Sequence, residues 1–247
     1  MKKVFFIFLL ATQALIAQSG FEAGNRLYRA EKYAEAVTEF ENVLKTKKHS
    51  AELYFNLANA YYKMNKVAPA VYNFEKALLL APDDRDIQTN LKFARKMMID
   101  EAEETQNVGF QKFINDFTSV FSYDAWAWIS VGLSVTFLLF FIGYYFSGRA
   151  LRKRIFFIGM FALIFLMGIS ILSAAFGKER YANEKPAIVF AGIVSIKSEP
   201  KKTASDVIIL HEGTKVYIIE TLDDWKRVQL ENGADGWIET SAIKEIK

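Results

Sequence analysis

Two stretches, Ala125–Phe146 and Ile155–Phe176, each run for 22 residues without an ionisable side chain. An α-helix of roughly 20 apolar residues is long enough to cross the hydrocarbon core of a bilayer. A buried helical hairpin in a soluble core is the competing reading, and it explains uncharged runs of this length poorly. Trp126, Trp128, Tyr144 and Tyr145 stand near the ends of the first run, where interfacial aromatic side chains are expected. The connection Ser147–Arg154 carries Arg149, Arg152, Lys153 and Arg154 and no acidic residue. The excess of positive charge in cytoplasmic loops predicts that this connection stays inside, so that both flanking segments face outward. A single globular enzyme domain is therefore not the simplest organisation. Neither run holds Asp, Glu, Lys, Arg or His, so neither offers a proton relay or ion path, and anchoring is the expected role. Ser130 with Ser134, and Ser170 with Ala174, are small residues at a spacing that permits close helix packing.

The chain begins Met1-Lys2-Lys3, continues with the apolar run Val4–Ala11 and reaches small residues near Ala17. This is the pattern of a secretory signal peptide, with cleavage after Ala17 or Ser19; the alternative is an uncleaved anchor helix. Either way the next segment is exported, in agreement with the orientation drawn from the basic connection.

Between the signal and the first span the sequence repeats itself. A shift of 34 residues aligns Gly24 with Ala58, Asn25 with Asn59, Tyr28 with Tyr62, Ala36 with Ala70, Val37 with Val71, Phe40 with Phe74 and Glu41 with Glu75. That period belongs to a helix–turn–helix unit in which small residues let two helices approach and large apolar residues fill the gaps. Ala51–Asp84, with Tyr54, Leu57, Ala58, Tyr61, Ala70, Phe74, Ala77 and Pro82 at its signature positions, resembles a complete tetratricopeptide repeat. The preceding unit matches from about Gly24 but has Lys48 where a proline is usual. Residues 84–100 resemble only a first helix, expected as a solvating cap.

The resemblance implies a concave groove lined by first helices that binds a peptide segment. Its face would carry Phe21, Asn25, Tyr28 and Arg29, then Glu52, Phe55, Asn59, Tyr62 and Lys63, followed by Phe93 and Lys96. Of these, Asn25, Tyr28, Phe55, Asn59, Tyr62 and Lys63 are the candidate partner-binding residues. Asn25 and Asn59 match groove asparagines that, in some relatives, bond a bound peptide's backbone. Phe21 and Phe55 replace a lysine needed to clamp a C-terminal carboxylate, so a free C-terminus is not the expected ligand. The alternative role for any of these residues is packing or solvating the repeat face.

Next come an acidic link, Glu101–Asn107, and a helical pattern of Phe110, Phe113, Ile114, Phe117, Val120 and Phe121 with polar residues opposite. This short amphipathic helix is expected either in the membrane–water interface or packed on the repeats or a partner.

From Pro186 the pattern changes to short β-rich runs at 187–190, 192–197, 207–210, 215–220, 225–230 and 234–239. The last two meet across Glu231-Asn232-Gly233, a strong hairpin signal. The spacing of Gly213, Trp225, Gly233, Gly236 and Trp237 resembles a bacterial SH3-like domain over 187–247. Trp225 is its candidate surface residue, whereas Trp237 is expected in the core. The acidic, tyrosine-rich loop of proline-peptide binders is replaced by Ser198-Glu199-Pro200-Lys201-Lys202, so that ligand class is not implied.

Charge excludes another class. Residues 18–100 hold 13 basic and 11 acidic side chains, and residues 185–247 hold 9 and 10, so neither soluble part has the field that attracts nucleic acid. There is no cysteine, and His49 and His211, each expected in a turn or on the surface, lie far apart in the chain. No metal site, cofactor or catalytic motif is expected, and the chain is expected to be non-enzymatic.

The expected organisation is a signal peptide (1–19), tetratricopeptide repeats (20–100), an acidic linker with an amphipathic helix (101–124), a first span (125–146), a cytoplasmic basic loop (147–154), a second span (155–176), a linker (177–186) and an SH3-like domain (187–247). The fold class is thus a multidomain membrane protein: α-helical repeats, a two-helix transmembrane hairpin and a small all-β barrel. This order is similar to the BatE-type proteins of the Bacteroides aerotolerance (Bat) operon. That resemblance implies an inner-membrane protein with both soluble domains in the periplasm, acting beside membrane-anchored von Willebrand A-type proteins and a MoxR-type ATPase in oxygen tolerance or envelope stress. The alternative reading is a tether or sensor that binds cell-wall peptide through its SH3-like tail.

Overall fold

The computed structural model describes residues 20–100 and 110–247. The expected signal peptide and the whole acidic link lie outside the described residues. The chain forms two compact units. One combines the helical repeats with the β-rich tail, and the other comprises the residues between them.

In the first unit a helix over residues 20–29 (α1) is followed by α2 (Tyr33–Lys45), α3 (Ala51–Lys63), α4 (Val67–Leu80) and α5 (Arg85–Arg95). The 34-residue repeat is visible in the backbone itself. Glu31 and Asn65, one period apart, both take left-handed conformations, with φ of 61° and 56°. Lys32 N–H donates to the Leu27 carbonyl, and Lys66 N–H donates likewise to that of Tyr61, so both first helices end in the same reversed cap. Ser50 caps α3 by accepting from Leu53 N–H, and Asp84 caps α5 by accepting from Asp86 and Ile87 N–H. Ala36, Phe40, Ala58, Ala70 and Phe74, the residues that define the repeat, are fully buried.

The tail has β1 (Pro186–Val189), β2 (Ile193–Lys197), β3 (Asp206–His211), β4 (Lys215–Leu222), β5 (Trp225–Gln229), β6 (Asp235–Glu239), a 3₁₀ turn (Thr240–Ala242) and β7 (Ile243–Glu245). The sheet runs β3-β2-β6-β5-β4-β1-β7, all antiparallel. The β5–β6 loop closes with Gly233 N–H on the Leu230 carbonyl and Gly233 at φ 85°, the left-handed position that a three-residue hairpin loop requires. β6 and β2 approach so closely at Gly236 that a Cβ there would lie 2.8 Å from the Lys197 carbonyl oxygen. β7 was not among the expected strands: three residues are too few to show a period. Trp237 is half-buried rather than in the core. The alternation along β6 sends Gly236 and Ile238 inward, and Ile238 fills the interior position.

The tail is not an independent body beside the repeats. Ile188 and Ile246 are buried in the same apolar cluster as Val71, Tyr72, Phe74 and Leu91. Tyr72 meets Phe190 edge-on at 5.6 Å between ring centres, and the Lys244 ammonium lies 4.4 Å over the Tyr72 ring. Gly213, at φ +94°, fits where a Cβ would be 2.9 Å from Val67 and 3.0 Å from Met98.

Two carboxylates fasten this contact. Glu75, 4% exposed on α4, receives Arg95 Nη2 from α5 at 2.6 Å and Lys215 Nζ from β4 at 2.8 Å. Asp100, just beyond α5, accepts from His211 N–H at 2.6 Å and from Thr214 Oγ1 at 2.8 Å, and pairs with His211 Nδ1 at 2.6 Å. His211 is therefore a junction residue rather than a simple turn or surface residue. The expected solvating cap has its C-terminal end covered by the tail.

The second unit holds α6 (Phe110–Thr118), α7 (Tyr123–Phe146) and α8 (Ala150–Asn183). Both α7 and α8 are long and apolar enough to cross a membrane. α8 already includes residues 150–154 of the basic connection and continues through residues 177–183, expected as a linker. The hairpin packs through reciprocal glycine sites: the Phe156 ring covers Gly143 and the Phe140 ring covers Gly159. Ser170 is buried and donates to the Trp126 carbonyl at 2.6 Å, whereas Ser130 bonds back to Ala127 on its own helix and Ser134 is exposed. Of the two small-residue pairs, then, Ser170 takes part in close packing and the Ser130/Ser134 pair does not.

Removing Glu75 strands two cations, and Glu75→Ala should lower stability by about 3 kcal/mol. That figure is the low end for a broken buried pair, because the Arg95 side chain is 39% exposed and can be hydrated. Converting Arg95 and Lys215 to Met alongside Glu75→Leu should restore most of the loss, measured by urea unfolding.

Burial opposes ionisation of Glu75, but Lys215 and Arg95 outweigh it and hold the carboxyl below its usual range. At Asp100 the hydrogen bonds from His211 and Thr214 likewise overcome burial. Both groups bind protons more weakly folded than unfolded. Their stabilisation is therefore complete above about pH 5 and is lost progressively as pH falls through the unfolded and then the folded values. An acid melting series should show this decline in the wild type and a shallower one in Glu75→Gln and Asp100→Asn.

Candidate functional site

Helical periodicity places Phe55, Asn59, Tyr62 and Lys63 on one stripe of α3, and Asn25 and Tyr28 on the corresponding stripe of α1. The structure divides them by chemistry. Phe55 is half-buried with its ring edge-on to Phe74 at 5.8 Å, so much of it serves the repeat core. Asn25 Oδ1 accepts from Asn56 Nδ2 at 2.8 Å and ties α1 to α3, while its amide nitrogen bonds no other described residue. The half-buried Tyr28 meets Tyr33 edge-on at 5.3 Å, and burial raises the pKa of its hydroxyl. Asn59 and Tyr62 are half-buried and Lys63 is exposed. None of the three side chains forms a hydrogen bond or ion pair with the described residues. The stripe thus offers an amide, a phenol and an ammonium beside aromatic surface. That set suits the polar backbone and apolar side chains of an extended peptide.

The tail engages α4 and the chain beyond α5, through Tyr72, Val67, Glu75 and Asp100. None of these contacts uses Asn25, Tyr28, Asn59, Tyr62 or Lys63 as a hydrogen-bonding or ionic partner. Further along, Phe93 is exposed, with the Lys96 ammonium 5.6 Å from its ring centre.

On the tail, Trp225 opens β5 half-buried, opposite Leu222 on β4 and Glu239 on β6. Two residues on, Arg227 pairs across the strands with Trp237 and is held by Asp235, Nη2 to Oδ2 at 2.7 Å. The outer face of β5 and β6 therefore carries two indoles around a fixed guanidinium, a surface suited to stacking and hydrogen bonding.

Glu75, Arg95, Asp100, His211 and Lys215 escaped the sequence reading. Glu75 alone carried a signal, as the single carboxylate of a mostly apolar α4. Both carboxylates are held ionised by close donors, which makes them poor proton donors to a substrate. His49 Nδ1 lies 2.7 Å from the Tyr54 hydroxyl, with the two rings stacked. Among the described residues no three acidic or histidine side chains gather where they could hold a metal.

Comparison with protein families agrees with this division. Residues 24–65 match the TPR repeat, residues 51–84 the tetratricopeptide repeat, and residues 191–245 the bacterial SH3 domain. No curated protein matches the chain. The chain combines tetratricopeptide repeats suited to protein–protein interaction, two long apolar helices that could span a membrane, and a C-terminal SH3-like sheet.

Proposed function

We propose that the chain is a non-enzymatic, membrane-anchored scaffold that binds an extended segment of a partner protein along the α1/α3 stripe. The observation that carries this reading is the set of polar groups on Asn59, Tyr62 and Lys63 that bond no other described residue while the tail docks elsewhere, on α4. Partners of this chemistry are periplasmic or membrane proteins. The similarity to BatE-type proteins of the Bacteroides aerotolerance operon favours von Willebrand A-type proteins of an envelope-stress or aerotolerance complex.

The proposed location is the bacterial inner membrane, with α7 and α8 spanning it, the basic connection in the cytoplasm and both soluble segments in the periplasm. One compact unit built from the chain before α6 and the chain after α8 requires an even number of crossings between them. Two spans meet that requirement, and the four cations of the connection choose the side.

In cross-linked native membranes, the wild-type chain should recover a von Willebrand A-type protein. Asn59→Ala/Tyr62→Ala should lose most of that recovery with its helical circular dichroism unchanged. Undiminished recovery by the folded variant would show that the stripe is not the contact.

A second reading rests on the outer face of β5 and β6, where Trp225 and Trp237 flank Arg227: binding of cell-wall peptide. Because Ile188 and Ile246 need the helices to cover them, the full chain is the proper reagent rather than the isolated tail. If this surface binds, Trp225→Ala should reduce retention of the full chain on purified peptidoglycan several-fold. Equal retention of wild type and variant would remove Trp225 from the site.

A further inference from the structure

The second unit contains an apolar surface that its own helices leave uncovered. Along α6 and the turn after it, Phe113 is 66% exposed and Val120 62%, with Phe117 and Phe121 also on the surface. The Phe113 and Phe117 rings stack at 6.4 Å, as residues one helical turn apart can. Asn115 and Asp116 are exposed on the polar part of the helix. A soluble segment rarely presents so much aromatic surface in one stripe.

α6 is not loosely attached. Trp126, 8% exposed and near the start of α7, donates its indole N–H to the Thr118 carbonyl at 3.0 Å. Phe117 and Phe121 lie against the same indole, with ring centres at 5.5 and 5.3 Å. The Trp126 carbonyl in turn accepts from Ser170 on α8, so one residue links all three helices. This linkage fixes the depth of α6. Trp126 is the second residue of the apolar run on α7, and Phe176 is the last residue of the run on α8. A cavity of about 400 Å³ between α6 and α8 is lined by Ile114, Asn115 and Thr118 on one side and by Phe176, Glu179, Arg180 and Asn183 on the other. Apolar lining gives way to an acid, a base and amides within two turns, as the environment does between acyl chains and headgroups.

We infer that α6 lies in the plane of the membrane–water boundary and that its aromatic stripe is covered by lipid, not by a protein partner. The inference rests on the reading of α7 and α8 as spans. What selects lipid is continuity: the stripe begins where the apolar surface of the spans ends and is pinned at that level by Trp126. An amphipathic helix held in this way buries its apolar face at the headgroup–acyl boundary. The polar side of the cavity then sits at headgroup depth, where Arg180 can meet a phosphate and Glu179 an ammonium. A zwitterionic phospholipid supplies both.

The absence of cysteine makes the test direct. Phe117→Cys, Val120→Cys, Asn115→Cys and Leu138→Cys are each introduced into the full chain and labelled with an environment-sensitive fluorophore. The proteins are reconstituted in phosphatidylethanolamine/phosphatidylglycerol vesicles. Labels at Phe117 and Val120 should be quenched several-fold more by lipids carrying a nitroxide high on the acyl chain than the label at Asn115, and several-fold less by aqueous iodide. Iodide quenching at Phe117 and Val120 equal to that at Asn115 would overturn the inference. Protection from both quenchers would also overturn it, by showing protein over the stripe. Leu138, in the middle of α7 and probed with a nitroxide near the end of the acyl chain, separates the two levels of the argument: if it escapes lipid quenching, the spans themselves are misread, whereas lipid quenching at Leu138 alone rejects only the placement of α6.

Discussion

One buried carboxylate sets the arrangement of the repeats and the β-rich tail. Glu75 sits among apolar neighbours on α4, where an unpaired charge would be costly, and its two oxygens face one cation each, from α5 and from β4. The apolar contacts around it, Ile188 and Ile246 against Val71 and Leu91, supply attraction with little directional preference. Glu75, with Asp100 further along, supplies the direction: sliding the tail across α4 would separate Lys215 from Glu75. The polar groups thus set the register of an interface that apolar burial stabilises, a division in keeping with the limited net stability expected of buried ion pairs.

That geometry decides which surfaces remain for binding. The second helix of the central repeat is occupied by the tail, so the first-helix stripe is left as the exposed polar and aromatic face of the helical part. On the tail, the contact uses the β3–β4 turn, β1 and the C-terminus. The outer face of β5 and β6, with Trp225 and Trp237, takes no part in the hydrogen bonds or ring contacts of the junction. The two candidate surfaces are therefore separate, and a variant in one leaves the chemistry of the other intact.

Much of this architecture was legible in the sequence because it is local. A 34-residue period, an apolar run of 22 residues and a glycine in a hairpin loop each report on neighbours a few residues away. Even the left-handed turns at Glu31 and Asn65 follow the period. What stayed hidden depends on partners remote in the chain. Lys215 reaches Glu75 across 140 positions, and His211 reaches Asp100 across 111. The equivalent position in the preceding repeat gives no warning, since Glu41 is exposed there and accepts from the Tyr61 hydroxyl instead. Trp237 and Ile238 show a smaller version of the same difficulty. Both are apolar and adjacent, and only the pairing of β6 with β5 decides which of them turns inward. The α1/α3 stripe was legible as a face, but not the diversion of Asn25 into a bond with Asn56.

Sequence separation also orders the assembly of the protein. The helical part is complete by Asp100, while Ile188, Lys215 and Ile246, which cover α4, are made only after both apolar helices. On the two-span reading they reach the same compartment only once α8 has crossed. Until then Tyr72 and Val71 on α4 lack their cover, and Glu75 has Arg95 but not Lys215. Long-range contacts of this kind form late, because the entropy of closing the intervening chain is lost before the contacts repay it. On that two-span reading, insertion of the hairpin would remove much of that cost in advance, because two packed helices would hold the ends of the intervening segment in one membrane. On the same reading the spans would do more than anchor the repeats. They would also bring the tail to the helical surface it completes, where Lys215 joins Arg95 at the buried carboxylate.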